Sequence, residues 1–330
     1  MQRRFSWRRL AVMSVLLVLG TSGGAQGMSV AEGKAAYEAG DFSKAVEILK
    51  AATAKDPKDG EAELLLVKCY LELNKIDAAI SSGEKAVAID PKNSEFHHWL
   101  GQAFSVKAEH ASMFNGMGLA KKTQKEFQTA TELDGKNISA MQDLVEYDCT
   151  APGIVGGGED KAQPIIQKLM VLDPAEGHYA KGNCKAAKKE LPVADEEFIK
   201  ALENRLKSVE RIYEIANYFS QRGQGDNVLA AADAGVALAP ADARGTFYRA
   251  VGLVVKKEKL ADAKSALKQY LQDTPKHPGD PKPFRAHYWL GRAYEAEKNA
   301  DAAREEYHAA LGLNEKYKPA QEGLKRLGNS

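Results

Sequence analysis

Four tyrosines, Tyr179, Tyr213, Tyr248 and Tyr288, recur at separations of 34, 35 and 40 residues, and four residues after each stand Asn183, Asn217, Gly252 and Arg292. Tyrosine offers a large contact area at low entropic cost, and an asparagine amide can both donate to and accept from a peptide backbone. Residues four apart share a helix face, so this column would set aromatic faces and amides along a groove suited to an extended peptide. That chemistry is binding. The other reactive side chains do not compose a catalytic set. Histidines 97, 98, 110, 178, 277, 287 and 308 are scattered, and His97 and His287 occupy equivalent helical places, which fits packing or capping. No helix carries two histidines flanking a glutamate, and no nucleophile–histidine–acid motif is present. Gly156, Gly157 and Gly158 precede a helix, as in a phosphate cradle. A phosphate loop, however, needs a preceding strand and a Gly-Lys-Ser/Thr ending, and Glu159 and Asp160 would repel an anion while suiting the helix dipole. The expectation is a protein that is not an enzyme and uses no cofactor or metal.

Cysteine adds little. Three cysteines, Cys69, Cys149 and Cys184, are an odd number for a disulfide framework, and no pair has zinc-site spacing. Cys69 lies in an apolar helical stretch and reads as a small buried hydrophobe. Cys149 and Cys184 fall at similar heights on neighbouring units, so a bridge between them is conceivable, and the sequence leaves it open.

Residues 1–27 read as a secretory signal peptide. Arg3, Arg4, Arg8 and Arg9 form its basic start, Leu10–Gly20 is uncharged and apolar, and Gly23, Gly24 and Ala25 offer a small-residue cleavage point after Ala25. An eleven-residue core is short of the roughly 20 residues that cross a bilayer. Cleavage removes four of the 46 basic residues and leaves 42 against 45 acidic ones. The exported chain then has no basic excess for neutralising phosphates, which argues against nucleic-acid binding. No second stretch is apolar enough to span a membrane. A periplasmic or secreted protein is the expectation.

The elements that must position the tyrosine column follow a ruler. Acidic-to-proline corners at Asp56-Pro57 and Asp90-Pro91 are 34 residues apart, and the mark recurs with adjustments at Gly135, Pro174, Leu206, Pro240, Pro275 and Glu315. Twelve residues before the marks lie Ala45, Ala79, Thr123, Ala162, Ala194, Val228, Ala263 and Ala303. Five before lie Ala52, Ala86, Ala130, Leu169, Ala201, Gly235, Tyr270 and Ala310, and between the two columns stand apolar residues such as Leu49, Phe127, Phe198 and Tyr307. Small side chains at fixed offsets let two helices approach closely, and spacings of three and four mark amphipathic helices. Phe96–Phe104 is echoed by Ala286–Tyr294, each with a Trp-Leu-Gly core. A period of about 34 residues is that of stacked helical hairpins.

In these residues the chain resembles the tetratricopeptide repeat family, whose Trp-x2-Leu-Gly-x2-Tyr…Ala…Phe…Ala…Pro pattern they match over about residues 28–316. The resemblance implies an all-α, right-handed α-solenoid of some seven to eight hairpins, with residues 317–330 as a cap helix and tail, and a protein or peptide partner. Some family members grip a C-terminal carboxylate with basic residues and asparagines in the groove. The matching places here hold Val30/Lys34, Leu64/Lys68, His98/Gln102 and Gln142/Glu146, so that clamp is absent. The chain is also similar to a set of exported bacterial repeat proteins, which implies no activity.

The ruler breaks near residues 105–122, 151–161 and 275–283. In the first break Asn115-Gly116 predicts a turn between lengthened helices, and Met113, Phe114 and Met117 form an adaptable apolar set that packs those helices or meets a partner. The second reads as a tight glycine-enabled loop. The third, with Pro275, Pro278, Pro281 and Pro283, reads as a semi-rigid spacer. Two functions remain: a cell-envelope scaffold binding a protein or peptide in its concave groove, or a structural subunit of an envelope secretion, pilus or outer-membrane assembly complex.

Overall fold

The computed structural model describes residues 29–273 and 279–328. The signal-peptide reading with its Ala25 cleavage point, and Pro275 and Pro278, lie outside the described residues, as do the side chains of Met113 and Phe114. Among the described residues all regular structure is helical. Eight hairpins follow one another: α1 Val30–Glu38 with α2 Phe42–Lys55, α3 Gly60–Glu72 with α4 Ile76–Ile89, α5 Ser94–Glu109 with α6 Met113–Leu133, and α7 Ile138–Thr150 with α8 Glu159–Leu172. Then come α9 Pro174–Ala187 with α10 Leu191–Glu203, α11 Val209–Gln221 with α12 Gly225–Leu238, α13 Ala243–Lys256 with α14 Leu260–Gln272, α15 Pro283–Ala296 with α16 Ala300–Leu313, and the cap α17 Lys318–Arg326.

The corners repeat because their hydrogen bonds repeat. Asp56, Asp90, Asp134 and Asn314 each end an outer helix and accept the backbone N–H two residues on, at 3.0, 3.0, 2.8 and 3.2 Å. This is the local turn that short acidic and amide side chains favour. The residue after that turn, Asp59, Asn93 or Asn137, then caps the next inner helix. Turns inside the hairpins use left-handed residues, among them Gly40 at φ 76° and Lys298 at φ 62°.

Each hairpin closes on the small-residue columns. Ala45, Ala79, Thr123, Ala162, Ala194, Val228, Ala263 and Ala303 are all buried, and so are Leu49, Phe127, Ile166, Phe198, Leu267 and Tyr307. The inner-helix glycines make room for these large residues: a Cβ on Gly101 would stand 2.6 Å from the Phe127 ring, and one on Gly291 2.6 Å from Tyr307. Three of the four histidines on inner helices bridge to their outer partners, with His97, His178 and His287 Nδ1 at 2.6, 2.6 and 2.7 Å from Glu126, Glu197 and Glu306. Odd-numbered helices pack on one another as α1–α3, α3–α5, α7–α9, α11–α13 and α13–α15, whereas among the outer helices the close pair is α10–α12. The odd helices therefore form the tighter, concave wall. The backbones of α5 and α7, and of α9 and α11, stay farther apart. Core packing bridges the second of these gaps: from α9 to α17 it is one continuous cluster, and before α9 it splits into smaller ones.

Two breaks in the ruler differ in kind. Asn115-Gly116 does not form the expected turn. It lies inside α6, and the reversal falls at residues 110–112, where α5 ends at His110 and Gly116 N–H already donates to Ser112 O at 2.7 Å. Residues 151–158 do form a tight loop. Gly156 takes φ 103°, and a Cβ on Gly157 would stand 2.0 Å from Ala151 O, so the chain can reverse there only without side chains. Inside this loop burial pushes the Asp148 carboxyl up to about 6.

Gly101→Ala is expected to destabilise by about 1–3 kcal/mol, because the added methyl overpacks Phe127 by more than the gain in helix propensity offsets. Gly118→Ala, with nothing within 4 Å of the new Cβ, is expected to stabilise by up to about 1 kcal/mol. Urea melts of the two variants decide it, and equal signs would contradict the packing described.

Candidate functional site

Among the described residues the inner wall holds a small hollow of about 190 Å³ between α5 and α7, and two larger ones that both border α11. The first of these two, of about 710 Å³, is lined from α5, α7, α9 and α11, where the inner backbones part. Its floor is polar and acidic: Asp143, Glu146, Glu210 and Glu214 line it with one guanidinium, Arg211, and Arg244 reaches Glu210 at 3.5 Å. Asp143 accepts from His98 Nε2 at 2.5 Å and from Gln102. Arg211 is already committed, donating to both oxygens of Glu176 at 2.8 Å. Gln142 donates to the same Glu176 at 2.8 Å, and Tyr179 donates to Glu214. Glu146 and Glu214 touch solvent inside the groove, yet protein crowds them on every wall. That desolvation pushes both carboxyls above the usual range. Asp143, Glu214 and Glu109 add to it for Glu146, while Tyr179 and Arg211 offset part of it for Glu214.

The second hollow, of about 530 Å³, lies between the end of α11, α15 and α17. Phe284, Tyr288, Trp289 and Tyr317 give it an aromatic floor, and Arg285 and Arg292 stand over it with Asn217. Arg292 donates to the Tyr288 hydroxyl at 3.0 Å.

The tyrosine column divides between groove and core. Tyr179, Asn183, Asn217, Tyr288 and Arg292 line the two hollows. Tyr213, only 3% exposed, and Tyr248 line neither; they stack at 5.6 Å and 12°. The space for the Tyr213 ring is made by Gly235 and Gly245, whose Cβ atoms would stand 2.5 and 3.0 Å from it. Arg244 covers the ring at 4.9 Å. Gly252 is a packing contact for Leu229. Met117 lies apart from the groove, in an apolar hollow of about 640 Å³ that it shares with Pro152, Ile154 and Val155, so the first two insertions meet. The acidic set and Arg285 were not singled out from sequence. Reading the groove column for charge would have found Glu146, but grouping it with Asp143 and Glu214 needs the spacing between hairpins.

Comparison with known proteins agrees with this architecture at both ends of the chain. The tetratricopeptide repeat family pattern matches residues 36–103 and again residues 248–318. The chain is a tetratricopeptide repeat protein. It is 32% identical over 140 residues to the tetratricopeptide repeat protein 21 homolog of Caenorhabditis elegans, a match covering 42% of this chain and 9% of that protein. Its fold is similar to that of yeast Tom70, with a TM-score of 0.55, 15% identity, and coverage of 87% of this chain and 58% of that one. A thermophilic repeat protein of Thermus thermophilus superposes with a TM-score of 0.46 at 20% identity, covering 55% of this chain and 92% of that chain. A tetratricopeptide repeat fold suggests a scaffold for protein–protein interaction. Among the described residues no helix is long and apolar enough to cross a membrane.

Within this repeat protein the clamp places His98 and Gln102 are spent internally on Asp143. The pairing that the sequence left open is closed: Cys149 and Cys184 form a disulfide joining α7 to α9, the inner pair between the two gaps, while Cys69 is free and buried. Burial pushes the Cys69 thiol up to about 11, which keeps it unreactive. Closing a loop of 35 residues constrains the unfolded chain by about 4 kcal/mol in the chain-entropy treatment. Reductant is therefore expected to lower the melting temperature of the natural chain to that of the Cys149→Ala/Cys184→Ala variant, measured by calorimetry. No change on reduction would contradict the bridge.

Proposed function

We propose that this protein is a non-enzymatic scaffold of the bacterial cell envelope that holds an extended segment of a protein partner in its concave groove. The observation that carries the reading is the first hollow, where Asp143, Glu146 and Glu214 face a single, already paired arginine, and Glu210 beside them is reached by Arg244 at 3.5 Å. Carboxylates crowded together with few cations disfavour one another's charged form, and a basic segment would supply the missing charge. Opposite potentials across an interface also steer encounter and reject wrong partners. Export is part of the proposal: a leader over residues 1–27, cleaved after Ala25, would deliver the chain to the periplasm or the medium. The Cys149–Cys184 bridge supports this, since disulfides persist in oxidising compartments.

A second reading, a structural subunit of an envelope secretion, pilus or outer-membrane assembly complex, is favoured by one observation. Ile154 is 75% exposed at the rim of the apolar hollow where the two insertions meet. Partner capture separates the readings: partners lost on deleting 113–119 but kept in groove variants would favour the insertions.

The groove is tested with an unstructured, fluorescein-labelled peptide carrying lysine at every fourth position. Glu146→Gln/Glu214→Gln is expected to weaken its binding to the mature chain about tenfold, or about 1.4 kcal/mol. Both carboxyls titrate above the usual glutamate range, so they take up protons early as pH falls and the groove loses negative charge. Binding of the lysine peptide is accordingly expected to weaken progressively between pH 7.5 and pH 5. Binding that ignores both the variant and the pH would remove the acidic groove from consideration.

A further inference from the structure

Arg285 makes its hydrogen bonds to neutral groups, while Asp242 and Asp280 lie with it in electrostatic range of the Tyr270 hydroxyl. Its guanidinium donates to Asn217 Oδ1, reaches the hydroxyls of Tyr248 and Tyr317, and stands 5.9 Å from the Phe247 ring centroid. Arg292, seven residues on, stands 5.8 Å from the Trp289 ring and 6.0 Å from that of Tyr288. The carboxylate near it, Glu295, is 3.9 Å away and is already held by Arg326 at 2.9 and 3.0 Å. Glu322 of the cap helix is the one carboxylate lining this hollow. Two guanidinium groups thus enter a half-enclosed aromatic hollow with too little negative charge to match them. A guanidinium stacked on aromatic rings keeps its N–H edge available for a carboxylate.

Spacing decides what kind of anion fits. Seven residues are two helical turns, so Arg285 and Arg292 leave the same face of α15 about 10 Å apart. One carboxylate cannot serve both. A segment in the polyproline II form rises about 3.1 Å per residue with three residues per turn, so side chains three residues apart leave the same face and cover about that distance. We infer that the second hollow receives an acidic stretch of the partner protein, with two Asp or Glu side chains three residues apart and an apolar residue between them on the aromatic floor. The inference rests on the groove reading and deepens it. A partner basic over α5–α11 and acidic over α15 can lie in the groove in one direction only, because reversal sets like charges against each other at both ends.

The test uses the mature chain and three fluorescein-labelled peptides in anisotropy titrations. The first is a C-terminally amidated 12-mer with Glu-Phe-Ser-Glu at its centre. The second replaces both glutamates by glutamine. The third keeps the glutamines and has a free C-terminal carboxylate. The first is expected to bind, to lose at least about tenfold on the glutamine exchange, and to lose as much in Arg285→Gln/Arg292→Gln. The lysine peptide is expected to bind that variant within about twofold of the natural chain, which also reports that the groove is still folded. The peptide exchange leaves the protein untouched, so the answer does not depend on how the variant folds. Equal binding of the glutamate and glutamine peptides, or binding only of the peptide with a free terminus, overturns the inference. If the lysine peptide binds through Glu146 and Glu214 while the glutamate peptide does not bind, the groove reading stands and this inference falls. If neither binds, both fall.

Discussion

The close contact repeated in four of the hairpins, where an inner-helix glycine faces a large side chain of the outer helix, is the constraint on which the rest depends. Gly33 against Leu49, Gly101 against Phe127, Gly182 against Phe198 and Gly291 against Tyr307 all place the large residue where a Cβ would otherwise stand, at 2.6 to 2.8 Å. This contact sets the helix separation inside the hairpin, and so the tilt with which the next hairpin can stack. Three of these pairs are 16 residues apart in sequence and the second is 26 apart. The ten extra residues lengthen α5 and α6 beyond the contact without moving it. An insertion can therefore add surface while the solenoid keeps its register, consistent with the low cost of extending a connection.

From that register follows a groove that is not uniform. Where inner helices pack directly, as α11–α13–α15 do, the wall is closed by aromatic rings, and Tyr213 and Tyr248 become core. Where they part, between α5 and α7 and between α9 and α11, polar side chains bridge the space and carboxylates remain with few cations. The disulfide sits on the one inner pair between those gaps. It fixes α7 to α9 so that the acidic hollow keeps its width. The charge on the wall changes sign along α11, from Glu210 and Glu214 at one end to the arginines of α15 facing Asn217 at the other.

Much of the fold was legible because its determinants are local or strictly periodic. The alanine columns needed only a fixed offset from the corner, and every member from Ala45 to Ala303 is buried. The corners were readable because proline and short acidic residues act through bonds two or three positions away. Asn115-Gly116 misled for a related reason: a turn dipeptide has a preference of its own, but the helix that began at Met113 overrode it. The tyrosine column was legible as a column but not as a surface, since spacing cannot distinguish the groove side of a ring from the side that fills a gap above Gly235 and Gly245. The spacing of Arg285 and Arg292 is local to α15, but the acidic hollow and the aromatic hollow they enter depend on how neighbouring hairpins stand, a tertiary quantity that no single repeat encodes.

The central claim, that partners bind the concave wall, is tested most directly by site-specific photocrosslinking in cells that make the protein. A photoreactive residue would replace Asn183 on the inner helix α9 or Val171, 86% exposed, on the outer helix α8, with crosslinked partners then read by mass spectrometry. Adducts to a discrete protein from position 183 and none from position 171 are the expected result. Adducts from position 171 with none from position 183 would contradict the claim.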